Sequence, residues 1–132
     1  AKRGFALFNG KARCASCHGG WNFTDHRFHD IGLATTDEGR AKITGRTEDK
    51  HGFRTPGLRE ITARAPYMHN GSLPTLEAVV AHYATGGIDR PSRSRLMTSL
   101  SLTDDEMQDL VEFMRALSSP GVTVALPNLP VR

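Results

Sequence analysis

A chain of 132 residues with 38% hydrophobic content suits one domain, yet it is short of apolar side chains for a self-sufficient core. The formal charge of +3, from 17 basic and 14 acidic side chains, is spread mainly over residues 40–64 and 90–95. It suits an ordinary solvated surface, or docking to an acidic partner. No motif supports nucleic-acid binding, and no apolar run approaches the roughly eighteen residues of a membrane span.

Residues 1–13 read as a short helix with Phe5, Phe8 and Ala12 on one face, and Gly4 beside that face lets another helix cross closely. Directly after it comes Cys14-Ala15-Ser16-Cys17-His18. Two thiols three positions apart, followed by an imidazole, are the pattern for covalent haem attachment. The cysteines add across the vinyl groups as thioethers, and the histidine becomes an axial iron ligand. A structural zinc site would want four ligands, usually with a second cysteine pair, and the sequence has none. A thioredoxin-like redox pair would follow a strand rather than a helix. Both cysteines are then consumed, so no disulfide is expected. A buried porphyrin also supplies the flat apolar surface that the composition lacks. Haem is attached to such motifs outside the cytoplasm, which predicts export, to the periplasm in a Gram-negative source. The start at Ala1, inside a helical pattern, agrees with removal of an upstream segment.

Residues 19–57 read as loop, with Trp21, Phe23, Phe28 and Phe53 as the inward side chains. A short helical turn is expected at 58–64, followed by the Pro66–Gly71 loop. The next helix is better marked. Ser72 or Thr75 caps it, Pro74 suits its first turn, and Gly86-Gly87 ends it. Leu76, Val79, Val80 and Tyr83 share one stripe. Residues 88–100 form a basic loop. The last helix opens on a capping box, Thr103-Asp104-Asp105-Glu106, and Met107, Leu110, Val111, Met114 and Leu117 give its apolar face. Met107 and Met114 are therefore core. The domain spans 1–118, and the tail 119–132, with Pro120, Pro127 and Pro130, is expected to run extended.

An iron held by His18 needs a sixth ligand or stays open. Met68, in the loop after the helical turn, suits an electron carrier, since a thioether stabilises ferrous iron. Met97 is a further candidate, and the periodicity by itself assigns Tyr83 to a buried stripe. His69 and His29 are either structural or bonded to a propionate or a water near the haem. Arg54 and Arg59 suit haem propionates, because a planar guanidinium matches carboxylate geometry. His26, His51 and His82 carry no argument beyond surface placement.

A helix before the haem motif and an amphipathic helix at the far end resemble the class I cytochrome c fold. That implies an all-α domain, about four short helices around one covalent haem with long loops. A more specific likeness covers Gly4–Phe8, Thr24–Gly32, Phe53–Arg59, Ala65–Leu76 and Leu102–Leu117. In that order these stretches resemble the C-terminal haem domain of bacterial di-haem cytochrome c peroxidases and their MauG-like relatives. The run Pro66-Tyr67-Met68-His69-Asn70-Gly71-Ser72-Leu73-Pro74 is its most family-specific piece, with Asn70 where Asp is usual. The resemblance implies several things. Tyr83 stands where peroxidases supply Met and MauG-like proteins supply Tyr as the sixth ligand. The chain relays electrons between a redox partner and a second haem or substrate, and is an electron-transfer unit rather than the peroxide-reacting half of the enzyme. The carbonyls of Arg64 and Pro66 match half of a calcium site shared with the other haem domain. The alternative is a stand-alone monohaem carrier with His18 and Met68 ligation. An open-iron sensing module is a third reading.

Overall fold

A computed structural model describes residues 1–121, so the predicted tail lies outside the described residues from position 122 onward. The described residues form four α-helices, α1 (Lys2–Asn9), α2 (Ala41–Thr44), α3 (Leu76–Thr85) and α4 (Asp104–Arg115). Among the described residues, 3₁₀ turns cover Cys14–Ser16, Thr47–Asp49 and Ile61–Arg64. Strands β1 (Phe28–His29) and β2 (Phe53–Arg54) pair antiparallel, Phe28 opposite Arg54 and His29 opposite Phe53.

The architecture is mostly helical, with corrections to the sequence reading. Helix α1 stops at Asn9 rather than 13, because Gly10 turns the chain while its N–H still caps the carbonyls of Ala6 and Leu7. The 58–64 turn is 3₁₀ and begins at Ile61. A four-residue helix and a two-residue ladder sit inside 19–57. Both are too short to leave a readable period in the sequence.

Helices α1 and α4 cross at Gly4. An ideal Cβ there would lie 1.9 Å from the Asp109 carbonyl oxygen and 2.7 Å from the Phe113 Cβ, so only glycine lets the backbones meet. Phe8 fills the crossing, edge-on to Phe113 at 5.0 Å and to Phe23 at 6.0 Å. Phe5, expected on the buried face, is 53% exposed and covers Phe113 from outside. Arg3 to Asp109 (2.7 Å) and Lys11 to Glu106 (2.6 Å) bracket the crossing as surface pairs, worth little individually.

The cap signals hold. Thr103 Oγ1 accepts the Glu106 N–H at 3.2 Å, and Glu106 Oε2 accepts the Thr103 N–H at 2.9 Å. Thr103→Ala is expected to cost about 1 kcal/mol of stability, measured by denaturant unfolding of the haem-loaded protein; an unchanged midpoint would show the cap idle. Thr75, not Ser72, caps α3, and Gly86 ends it in the left-handed region at φ 81°. The α4 residues Leu110, Val111, Phe113 and Met114 are buried with Phe8, Leu58, Ile61, Tyr67, Leu76 and Val80 in one cluster.

Of the four aromatics expected inward, Phe23 and Phe53 are half-buried. Trp21 is 80% exposed and Phe28 is 42% exposed. At Trp21 the fold uses the backbone, whose carbonyl accepts from Arg59 Nε at 2.9 Å. Phe28 alternates outward from His29 along β1, and the Arg40 guanidinium lies 4.1 Å over its ring.

Candidate haem site

A cavity of about 410 Å³ lies between these elements, within the roughly 300–1,000 Å³ range of cofactor sites. Its walls include Phe8 from α1, Leu58 and Ile61 ahead of the Pro66–Gly71 loop, Leu110 and Met114 from α4, and the whole α3 stripe of Leu76, Val79, Val80 and Tyr83. Apolar walls of this extent left facing water cost free energy until something apolar covers them. The fold therefore calls for a large apolar group.

Cys14, Cys17 and His18 all line this cavity. The 3₁₀ turn Cys14–Ser16, entered from Arg13 at φ 55°, explains how. Residues three apart eclipse on a 3₁₀ helix, so the two sulfurs stand on one side. Burial pushes both thiols up to about 11, with the neighbouring charges adding to it. A working dithiol or thiolate–metal site needs the opposite shift. Phe23 O can only accept, so its 2.9 Å contact with His18 fixes the proton on Nδ1 and leaves Nε2 free to bind iron. Burial lowers the His18 pKa and keeps the ring neutral. The residues present thus fit a covalently held haem.

The three candidates for the sixth ligand, Tyr83, Met68 and Met97, all line the cavity. Met97 is fully buried and Met68 half-buried, the latter at φ 71°. The Tyr83 hydroxyl has no hydrogen-bond partner among the described residues, and burial pushes its pKa up. Arg54 and His69 also line the cavity. Arg54 donates to His26 Nδ1 at 2.8 Å, while His69 stacks flat on Phe53 with ring centroids 3.5 Å apart. Arg59 points elsewhere, to the Trp21 carbonyl and over the Phe23 ring, and is no part of the cavity wall. His51 bonds the Asp37 carbonyl at 2.7 Å, and His82 the Ile31 carbonyl at 3.0 Å. Neither is the bare surface histidine expected.

His29 sits between Asp25 (2.9 Å) and Ser94 (3.3 Å) on the cavity wall. Cys17, Asp25 and His29 bring ligand atoms within 4.8 Å of one another. Haem attachment would spend Cys17, and His29 has both nitrogens engaged, so this cluster is the polar surround of the attachment motif. Burial opposes the charge on Asp25, but hydrogen bonds from His29, the Arg27 amide and Thr55 outweigh it and bring its pKa down to about 2. Stability from a lowered carboxylate pKa is present above the ordinary value and lost below it. The unfolding free energy is therefore expected to fall as pH drops from 3.8 toward about 2. Asp25→Asn should flatten that slope in acid-titrated denaturant unfolding; equal slopes in both proteins would refute the assignment.

Sequence reasoning missed a buried ion pair. Asp30, 3% exposed, takes Arg90 Nε at 2.7 Å and Nη2 at 2.6 Å. The partners lie 60 residues apart, and no short-range signal links them.

Among the described residues, no helix is long and apolar enough to cross a membrane. The chain is 49% identical over 133 residues to the methylamine utilization protein MauG of Methylorubrum extorquens, covering 98% of this chain and 38% of that protein. It is 38% identical over 150 residues to the cytochrome-c peroxidase IdrP1 of Denitromonas iodatirespirans, 89% of this chain and 40% of that one. The chain thus spans about two fifths of these curated relatives. The crystal structure of a MauG-like protein associated with microbial copper homeostasis superposes with a TM-score of 0.84 at 32% identity, over 90% of this chain and 46% of that one. The diheme peroxidase BthA of Burkholderia thailandensis superposes at 0.73 and 26% identity, over 89% and 42%. The family model for cytochrome c matches residues 1–118. With the attachment motif on the cavity wall, that match decides the family: the chain belongs to the cytochrome c family, whose cofactor is a covalently bound haem c.

Proposed function

We propose that this chain is one haem domain of a bacterial di-haem oxidoreductase of the cytochrome c peroxidase and MauG kind, relaying electrons between a redox partner and a second haem or substrate. Cys14 and Cys17 would hold one haem c, and His18 Nε2 and the Tyr83 oxygen would hold its iron. Tyr83 carries this reading: it stands on the cavity wall, on the stripe that packs the cavity, and its hydroxyl has no hydrogen-bond partner among the described residues. The bound haem supplies reversible one-electron exchange.

The protein's part is to bind, orient and seal. The Phe23 carbonyl holds the His18 tautomer. The apolar α3 and α4 walls would shield the iron from water, which strengthens the charges beside it. A phenolate is a hard anion that stabilises ferric iron and lowers the potential. With His18 and Tyr83 both holding the iron, peroxide would find no open site, so the chain by itself should turn over peroxide poorly. Arg54 and His69, both on the cavity wall, would offer hydrogen bonds to the group's propionates. The carbonyls of Arg64 and Pro66 would hold a calcium ion only together with a second haem domain. Haem attachment of this kind supports export from the cytoplasm, to the periplasm in a Gram-negative source.

Intact mass and haem count of the native assembly test the reading. Two haems in a larger complex are expected. One haem in a monomer, with a near-infrared sulfur-to-iron band in the ferric spectrum, would instead establish a soluble carrier ligated by Met68.

A further inference from the structure

We propose that Asp30 and His82 are positioning residues that set the reach of the Tyr83 hydroxyl into the cavity; this rests on the ligand reading above. Tyr83 lies in the last turn of α3, so its reach depends on where that helix end is held. The end is docked on the turn Asp30-Ile31-Gly32. His82 Nε2–H donates to the Ile31 carbonyl at 3.0 Å, and Ile31 O can only accept, which fixes the tautomer. The Ile88 N–H donates to the Gly32 carbonyl at 2.8 Å. The backbones touch: an ideal Cβ on Gly87 would stand 2.5 Å from Ile31 O, and one on Gly32 2.6 Å from Ile88 N. The His82 ring itself meets Tyr83 edge-on, with centroids 5.6 Å apart.

The turn has no helix or strand of its own, since β1 ends at His29. The Asp30 carboxylate supplies the missing order. Oδ1 accepts the Gly32 N–H at 2.8 Å, closing the turn, and Arg90 and Ser92 Oγ (2.7 Å) fill the remaining lone pairs. The Asp30 carbonyl takes the Ser94 N–H at 2.9 Å. A carboxylate so buried survives only when its acceptor sites are satisfied, so the turn has one geometry. From Arg90 the order passes through Asp30 to Ile31, then through His82 to Tyr83. The helix end thereby gains a fixed height above the haem-attachment turn, which a free loop would not give it.

The test uses the haem-loaded protein and reads the ferric tyrosinate charge-transfer band, its resonance Raman modes and the midpoint potential. Tyr83→Phe is the reference and removes the band. His82→Phe is expected to weaken and shift the band at unchanged haem content. His82→Gln keeps an N–H for the Ile31 carbonyl and should restore most of it. Asp30→Asn, which loses the bidentate Arg90 pair, should move the band in the same sense as His82→Phe. A merely structural role would lower the denaturation midpoint and leave band and potential alone. If Tyr83→Phe removes the band while His82→Phe and Asp30→Asn leave it in place, the proposal is overturned and the ligand reading stands. If Tyr83→Phe leaves the spectrum unchanged, both fall. Should His82→Phe fail to take up haem, His82→Asn, too short to reach Ile31, replaces it: a weakened, shifted band supports the proposal and an unmoved one overturns it.

Discussion

Tyr83→Phe is expected to erase the tyrosinate charge-transfer band and to raise the midpoint potential by a sizeable fraction of the roughly 0.8 V that axial ligands command. The reasoning is electrostatic. On the proposed ligation, the Tyr83 phenolate would put a full negative charge on the ferric iron beside an apolar wall, where the effective dielectric is below that of water. Removing only the oxygen leaves the ring in its place on the α3 stripe, so packing is nearly conserved. The expected loss is therefore confined to the iron, and stability should change by well under the roughly 3–5 kcal/mol of a ring deletion. Redox titration and ferric spectra check the first part, and denaturant unfolding the second. A potential and spectrum identical to the parent would remove Tyr83 from the iron and return the choice to Met68 or Met97.

The second large effect is expected at the helix crossing. Gly4→Ala places a methyl where the Asp109 carbonyl oxygen already stands, 1.9 Å from the ideal Cβ. The obstacle is backbone, so no rotamer can relieve it and the helices must part. Overpacking of this kind costs about 3 kcal/mol, against about 1 kcal/mol that alanine gains over glycine in a helix. The net loss is about 2 kcal/mol, and more if Phe8 also leaves its place against Phe113. Denaturant unfolding of the haem-loaded protein measures it. A variant as stable as the parent would mean that α1 and α4 do not meet at this glycine.

What could be read in the sequence was local. The attachment motif, the Thr103 capping box and the glycine ending α3 each declare themselves within a few residues, and each stands where expected. Gly4 was legible because a glycine inside an amphipathic helix needs a reason. The contacts that frame the cavity were not legible. His82 and Ile31 lie 51 residues apart, and Asp30 and Arg90 lie 60 apart; no periodicity spans such gaps. Trp21 and Phe28 misled because apolar side chains are inside only on average, and a folded surface stays largely apolar. Arg59 misled because a guanidinium satisfies a backbone carbonyl as readily as a carboxylate.

The attachment turn faces a hollow whose walls come from both ends of the chain, Phe8 near the start and Leu110 and Met114 near the finish. A haem bonded there would touch segments far apart in the sequence, so its attachment and the closing of the fold around it are expected to be coupled. The prosthetic group would then act as a folding scaffold, and the polypeptide made without it is expected to remain expanded and sensitive to protease.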